Sequence, residues 1–365
     1  MVVIFDLIGK KSGCMYYNDA FCRALREVGI DAVVVSNYSS NYAKAWLRNM
    51  YAGPLFMKGL KLINNVCVFL YLLVRGNKVV YLSYGTSIDL RFMQIGSFSK
   101  NLFVDIHEYV QLDVPSISKI KVKFDKVYKI VSLVIYHSSR TESFLRENGI
   151  TAHALYVPHF KYEFDKTYET NLVGEDIQES ISGDNLNVLF FGHFRESKGI
   201  RVLMDAIHSL PASLSERFHF IFAGSDPHGE FKTDLNELIE GKNVSVVCRY
   251  IETQELNFLF SKINMVVLPY FEVSQSGVLE TAVYFRKQLL LTDIPYFKSF
   301  IDSFPSFGYL FAKGNDIELA NLFVKICEVG LQSYDDSDID RFYQKEAFKA
   351  FSDSFKRFLD SQSIN

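Results

Sequence analysis

The stretch Val188–Gly199 reads V-L-F-F-G-H-F-R-E-S-K-G, and it limits the fold more than any other part of the chain. Val188–Phe191 is a short apolar run of the kind that forms a buried strand. Gly192 ends it, and a polar loop with two cations follows. After Gly199, the apolar residues of Ile200–Ile207 recur at helical spacing. Strand, glycine turn, basic loop and helix in that order describe one βα step of an open α/β sheet. Ligands of such sheets bind at the carboxyl ends of the strands, so the loop lies where a ligand would. Arg195 and Lys198 beside the free amides of a helix N-terminus suit a phosphate. An ordinary βα loop with solvated cations has the same local pattern.

The same rhythm runs through the chain. Strands are expected at Val2–Leu7, Ala32–Val35, Val79–Leu82, Leu102–Ile106, Ser132–Tyr136 and Ala154–Val157. Ile8–Tyr17 reads as a loop holding Gly9 and Gly13. Asn18 reads as the N-cap of a helix ending at Gly29. Residues 161–185 are polar and read as an interdomain linker. Further strands follow at Phe218–Ala223, Val244–Cys248, Met265–Leu268, Leu289–Leu291 and Tyr309–Ala312. A last amphipathic helix is expected over roughly Ile339–Leu359. A length of 365 residues suits two domains, each with its own core.

Charge is divided unevenly. Residues 1–157 hold 19 Lys and Arg against 11 Asp and Glu, a net +8, and the remainder is −11. A basic front half suggests that it meets an anionic surface. Lys119, Lys121, Lys123, Lys126 and Lys129 alternate with apolar residues, as a solvated helix face or a membrane-surface patch would. Leu62–Val74 is mostly apolar, too short to span a bilayer and interrupted by Asn64-Asn65. It reads as a core helix, or as an interfacial helix with Lys58, Lys61, Arg75 and Lys78 on its wet side. The five cysteines are scattered, which fits a reducing cytoplasm and neither a disulfide framework nor a metal cluster. Met1–Asp6 reads as a strand and not as a signal peptide.

Several segments in order resemble one family. G-H-F-R-E-S-K-G, F-A-G-S-D (222–226), V-V-L-P-Y-F-E-V-S-Q-S-G-V-L-E-T-A (266–282) and L-L-T-D-I-P (290–295) resemble the donor half of GT-B-fold glycosyltransferases, especially retaining family four. V-D-I-H-E (104–108), Y-H-S-S (136–139), L-Y-V-P-H (155–159) and the Gly13 loop resemble the acceptor half. The resemblance implies an α/β architecture of two Rossmann-like domains with parallel sheets facing a cleft. These would be an acceptor domain over 1–160 and a nucleotide-sugar domain over 186–337, with a helix over 338–365 returning to the first.

The resemblance also implies a site. Arg195 and Lys198 would stabilise the diphosphate leaving group without a metal, His107 would sit beside the sugar, and Glu272 would be the carboxylate near the donor sugar. Gly13, Gly192, Gly224, Tyr250, Ile251, Ser274, Gln275, Ser276, Gly277, Glu280 and Thr281 would contact the nucleotide. Glu272 and Glu280 have the family's spacing of two carboxylates. Alignment through S-Q-S-G and T-D-I-P instead puts Thr281 at the ribose and Val273 at the sugar. Phe285 and Gln288 then stand where the family has Gly and Pro.

The implied activity is retaining transfer of a hexose-type sugar from a UDP- or GDP-linked donor to a saccharide or lipid-linked saccharide, in cell-surface polysaccharide synthesis. No cofactor, metal or nucleic acid is implied. The expected location is cytoplasmic and peripheral on the inner face of the plasma membrane. Rival readings are another GT-B enzyme, such as a nucleotide-sugar epimerase or an inverting transferase, and a non-catalytic nucleotide-binding partner.

Overall fold

The runs V-V-I-F, A-V-V-V and M-V-V-L form strands buried along their length, as a parallel sheet covered by helices requires. The computed structural model describes residues 1–9, 14–50, 53–109, 117–150, 153–157, 166–226, 229–239, 243–273, 276–343 and 345–362. They fall into two units, Met1–Tyr162 with Gln344–Asn365, and Glu163–Tyr343. The fold is GT-B, with one Rossmann-like parallel sheet in each unit.

The first unit starts with β1 (Val2–Phe5), α1 (Cys14–Glu27), β2 (Ala32–Val35), β3 (Ala43–Lys44) and α2 (Leu55–Val74). It continues with β4 (Lys78–Ser83), α3 (Ser87–Gly96), β5 (Leu102–Ile106), α4 (Ile117–Tyr128), β6 (Leu133–Tyr136), α5 (Ser139–Glu147) and β7 (Ala154–Tyr156). The sheet order is β3-β2-β1-β4-β5-β6-β7, with every pairing parallel. The chain leaves β1 in one direction and continues from β4 in the other, so the topological switch point lies between β1 and β4.

The second unit runs α6 (Glu175–Glu179), β8 (Leu186–His193), α7 (Ile200–Ser209), α8 (Ala212–Ser215), β9 (Phe218–Ser225), α9 (Lys232–Ile239) and β10 (Val244–Cys248). It ends with α10 (Thr253–Lys262), β11 (Met265–Leu268), α11 (Gly277–Tyr284), β12 (Gln288–Thr292), α12 (Pro295–Ser303), β13 (Gly308–Phe311), α13 (Asp316–Val329) and α14 (Asp336–Tyr343). Its sheet order is β10-β9-β8-β11-β12-β13, again all parallel, with the switch point between β8 and β11. A final helix, α15 (Lys345–Gln362), belongs to the first unit. Its Phe355 and Phe358 meet Phe103 of β5, its Phe351 meets Phe21 of α1, and Lys356 Nζ donates to the Val28 carbonyl.

Several expectations change. Asn18 is not a cap. Helix α1 begins at Cys14, and Asn18 is buried inside it, donating to Asp6 Oδ2 at 2.7 Å. Much of the supposed linker is fixed to the second unit. Gly174 N donates to Glu255, and Arg249 pairs with both Asp176 and Glu255. Polarity there reflects ion pairing and not loose chain. The expected terminal helix covers α14 and α15, and residue 344 between them lies outside the described residues. Phe342 of α14 packs with Phe300, Phe304 and Phe307 in the second unit, and α15 packs on the first.

The core-helix reading of Leu62–Val74 also fails. Helix α2 starts at Leu55, is 20 residues long, and buries one face only: Asn65, Phe69, Leu72 and Leu73. The expected cationic row on α4 is only partly open. Lys123, Lys126 and Lys129 are exposed, whereas Lys121 pairs with Asp125 at 3.8 Å. The side chain of Lys119 lies outside the described residues.

Candidate active-site residues

In the first unit, polar side chains gather at the carboxyl ends of β1, β4, β5 and β6. Helix α3 opens with a capping box in which Thr86 Oγ1 accepts from Asp89 N and Asp89 accepts from Thr86 N. Asp89 is buried and also accepts from Tyr81 OH at 2.7 Å and Tyr84 N at 3.0 Å. The cap therefore fixes Tyr84. Its ring stacks on His107 with centroids 5.2 Å apart and a 22° interplanar angle.

His107 follows β5 and is held by its backbone N donating to Ser83 O at 2.9 Å. Tyr17 meets its ring edge-on at 4.5 Å. Beneath lies a buried network. Asp105 Oδ2 accepts from Tyr17 OH at 2.5 Å, and Asp105 Oδ1 lies 2.6 Å from His137 Nε2. His137 Nδ1 faces the Val157 carbonyl at 3.1 Å. His137 Nε2 also lies 3.2 Å from Tyr17 OH. Burial alone would raise the Asp105 carboxyl. The charges of His137 and His107, with hydrogen bonds from His137 and Tyr17, outweigh burial and hold it below the usual range.

Burial pushes the His107 imidazole down to about 4, against the raising influence of Asp105. It is therefore neutral near pH 7 and can donate or accept one hydrogen bond without carrying charge. Its folded value lies below the ordinary 6.5, so protonation favours the unfolded chain. The stability that the neutral ring contributes is full above about 6.5. It is lost progressively as pH falls from there toward about 4. The melting temperature of His107→Gln should accordingly fall less between pH 6.5 and 4 than that of the wild type, as scanning calorimetry would record. Parallel curves would mean that His107 is not the group that titrates.

On the other side of the switch point, Asp6 accepts from Ile8 N and Gly9 N, both at 2.9 Å, and from Asn18 Nδ2. Tyr84 OH reaches it at 3.3 Å. Burial raises the Asp6 carboxyl despite these donors. Gly13 lies outside the described residues. Asp105, His107 and His137 bring three ligand-type atoms within 4.8 Å of one another. Asp105 and His137 are already bonded to each other and to Tyr17, which is the pattern of a hydrogen-bonded network.

In the second unit the opening motif surrounds the switch point between β8 and β11. Gly192 and Gly224 lie opposite each other at the ends of β8 and β9, so closely that a Cβ on Gly224 would strike the Gly192 carbonyl oxygen. Arg195 is exposed and takes part in none of the described ion pairs. A 3-10 turn, Glu196–Lys198, places Lys198 Nζ 3.7 Å from the centre of the buried Tyr270 ring. Phe271 N donates to Ser197 O at 3.0 Å, tying this loop to the segment after β11. Glu196 is turned toward Arg201, which also pairs with Asp234.

Helix α11 presents its N-terminus beside that segment. Ser276 caps it, accepting from Leu279 N at 3.3 Å. Gly277 begins the helix, and Glu280 lies buried in its first turn. Thr281 Oγ1 donates back to Gly277 O at 2.8 Å, so its hydroxyl hydrogen is already engaged. Glu272 is exposed on the loop before the helix. Ser274 and Gln275 lie outside the described residues. Tyr250, partly exposed, and Ile251, buried, follow the edge strand β10, two strands away from β8.

Sequence reasoning did not single out Asp6, Tyr17, Tyr84, Asp105 or His137 as site residues, although Asp105 and His137 lie in the V-D-I-H-E and Y-H-S-S segments. The two aspartates did carry a signal, since each is a lone carboxylate at the end of an otherwise apolar strand. Tyr17 and Tyr84 carried none.

Residues 175–335 match the family model described as glycosyl transferases group 1. No curated protein sequence matches the chain. Among solved structures, the chain is similar to sucrose-phosphate synthase from Thermosynechococcus elongatus, with TM-score 0.74, 16% identity and 99% of each chain covered. It is similar to Anabaena HepE in complex with UDP-glucose, with TM-score 0.68, 16% identity and 99% of each chain covered. It is also similar to WaaG, a glycosyltransferase involved in lipopolysaccharide biosynthesis, with TM-score 0.61 and 13% identity over 99% of this chain and 95% of that one.

Proposed function

We propose, for a chain that is a GT-B-fold glycosyltransferase with a group 1 domain at residues 175–335, that the second unit holds the donor diphosphate between Arg195, Lys198 and the N-terminus of α11. One observation carries this reading. The only two cations of the β8 loop, Arg195 and Lys198, stand at the switch point of that sheet, opposite a capped helix start. Cleavage of a sugar–phosphate bond leaves negative charge on the diphosphate. Fixed cations and amides aimed at that charge lower the barrier.

Glu280 takes the ribose hydroxyls, because its carboxylate lies in the first turn of α11 whereas the Thr281 hydroxyl hydrogen is directed to Gly277 O. Glu272 lies beside the donor sugar. The donor is a UDP- or GDP-linked hexose; the likeness to HepE, solved with UDP-glucose, supports the uridine form. The first unit binds a saccharide or lipid-linked saccharide at its own switch point, where neutral His107 hydrogen-bonds a sugar hydroxyl. Transfer proceeds with retention.

A panel of UDP- and GDP-sugars, with released nucleoside diphosphate as the readout, tests the reading, and proton NMR of the product anomer tests retention. Sugar transfer or donor hydrolysis is expected with at least one of them. Binding without turnover across the panel would favour the non-catalytic partner. Turnover should also survive EDTA, because two side-chain cations take the role that a divalent ion plays in other transferases. The only D-x-D triplets lie within Asp336–Asp340, where Asp338 is bonded to Ser306 and Arg341. Loss of activity in EDTA and its return with manganese would refute this.

A further inference from the structure

Helix α2 has two apolar faces. One packs on the first unit's core through Asn65, Phe69, Leu72 and Leu73. The other is open. Phe56, Leu60, Ile63, Cys67, Tyr71 and Val74 recur every three or four residues, which sets them in one stripe along five turns. Leu60 and Ile63 are each 60% exposed and Val74 is 75% exposed. The helix is long and apolar enough to cross a membrane, yet its inner face is fixed to the sheet, so it can only lie along a surface.

Its surroundings select the surface. No Asp or Glu occurs between Asp31 and Asp89, whereas Lys44, Arg48, Lys58, Lys61, Arg75 and Lys78 all do. Lys58 and Arg75 are exposed at the two ends of α2. The single Trp of the chain, Trp46, is 42% exposed beside α2 and accepts through its backbone carbonyl from Asn64 Nδ2. Helix α3 packs on α2 and adds exposed Ile95, with exposed Phe98 two residues past its end, and α4 packs on α3 with exposed Lys123 and Lys126.

An apolar stripe, cations at both ends, no carboxylate between Asp31 and Asp89 and a half-exposed Trp together match the boundary of an anionic bilayer. The apolar residues enter the acyl edge, the cations meet the headgroups, and Trp sits between. A second copy of this face would bring six cations against six, which fits poorly.

We propose that α2 lies in the interface of an anionic phospholipid bilayer and docks the chain there, with α3 and α4 beside it. This does not depend on the donor chemistry. The test is flotation of the full chain with vesicles of phosphatidylcholine alone or with one-third phosphatidylglycerol, alongside sedimentation velocity without lipid. The wild type should float with the anionic vesicles only. Leu60→Glu with Ile63→Glu should cut flotation about tenfold, while donor binding in the second unit stays as in the wild type. A Lys58→Gln, Arg75→Gln variant, which leaves the stripe whole, should float less and lose its preference for phosphatidylglycerol. Because the altered side chains are exposed, an unchanged melting temperature is expected. Absence of wild-type flotation at low salt would overturn the proposal, as would full flotation of the double Glu variant. So would a lipid-free dimer that the same substitutions dissociate.

Discussion

Arg195→Ala and Lys198→Ala should each lower kcat by roughly 10²–10³, with KM for the donor changing by less than about tenfold, as expected for groups that meet charge developed in the transition state. The two cations are not equivalent. Lys198 is held over the Tyr270 ring at 3.7 Å, and its loop is tied by Phe271 N to Ser197 O. It is preorganised, so its loss should be felt almost wholly in kcat. Arg195 is exposed and must be ordered when donor binds, so part of its effect should appear in KM. Tyr270→Leu keeps both cations and removes the ring face together with the hydroxyl's hydrogen bond with Ser276. It should lower kcat by a smaller factor, about tenfold, as roughly 1 kcal/mol for the cation–π contact and part of one hydrogen bond together give. Steady-state kinetics with product detection separates the three variants. If the Arg195→Ala, Lys198→Ala double variant turned over like the wild type, the diphosphate would lie elsewhere.

The parts of this molecule that were legible in its sequence are those where one local rule acts alone. Apolar runs such as V-V-I-F and A-V-V-V have no alternative to burial in a sheet, and the glycine turn at Gly192 with its following helix marks one βα step. The segments that the proposed function assigns to the donor, around Arg195, Lys198, Ser276 and Glu280, could be picked out for the same reason, since each is short and contiguous. The polar network of the first unit could not. Tyr17, Tyr84, Asp105 and His137 stand on four different elements, and only the sheet order β1-β4-β5-β6 brings them together. Asn18 shows how a local rule misleads. Asn near a helix start suggests a cap. Here Asp6, buried at the end of β1, needs a donor, and Asn18 inside the helix supplies it. Helix α2 misled in another way. Its composition is that of a core helix, and only the structure shows that half of its apolar surface has no sheet to cover.

Gly199→Ala should cost both stability and turnover, and the reason lies in two independent demands at one position. Gly199 has φ +62°, where an L side chain is strained by about 1–2 kcal/mol. A Cβ there would also be driven into the carbonyl oxygen of Pro269, which is backbone and cannot swing aside. Relief requires the β8 loop and the segment after β11 to move apart, and those are the two sides of the proposed diphosphate site. Strain and clash together should destabilise the second unit by about 3 kcal/mol, in the range of buried overpacking. For a unit of this size that corresponds to a fall of about 6–12 °C in its melting transition. The same movement carries Lys198 off Tyr270, so kcat/KM should drop by at least about 100-fold, well below what the fraction unfolded accounts for. Gly29→Ala is the matched control. Gly29 has φ +80° but open space around the missing Cβ, so it should show the backbone strain alone, with turnover unchanged. A Gly199→Ala enzyme that melts early yet turns over normally at low temperature would show that the loop contact to Pro269 supports the fold and not the leaving group.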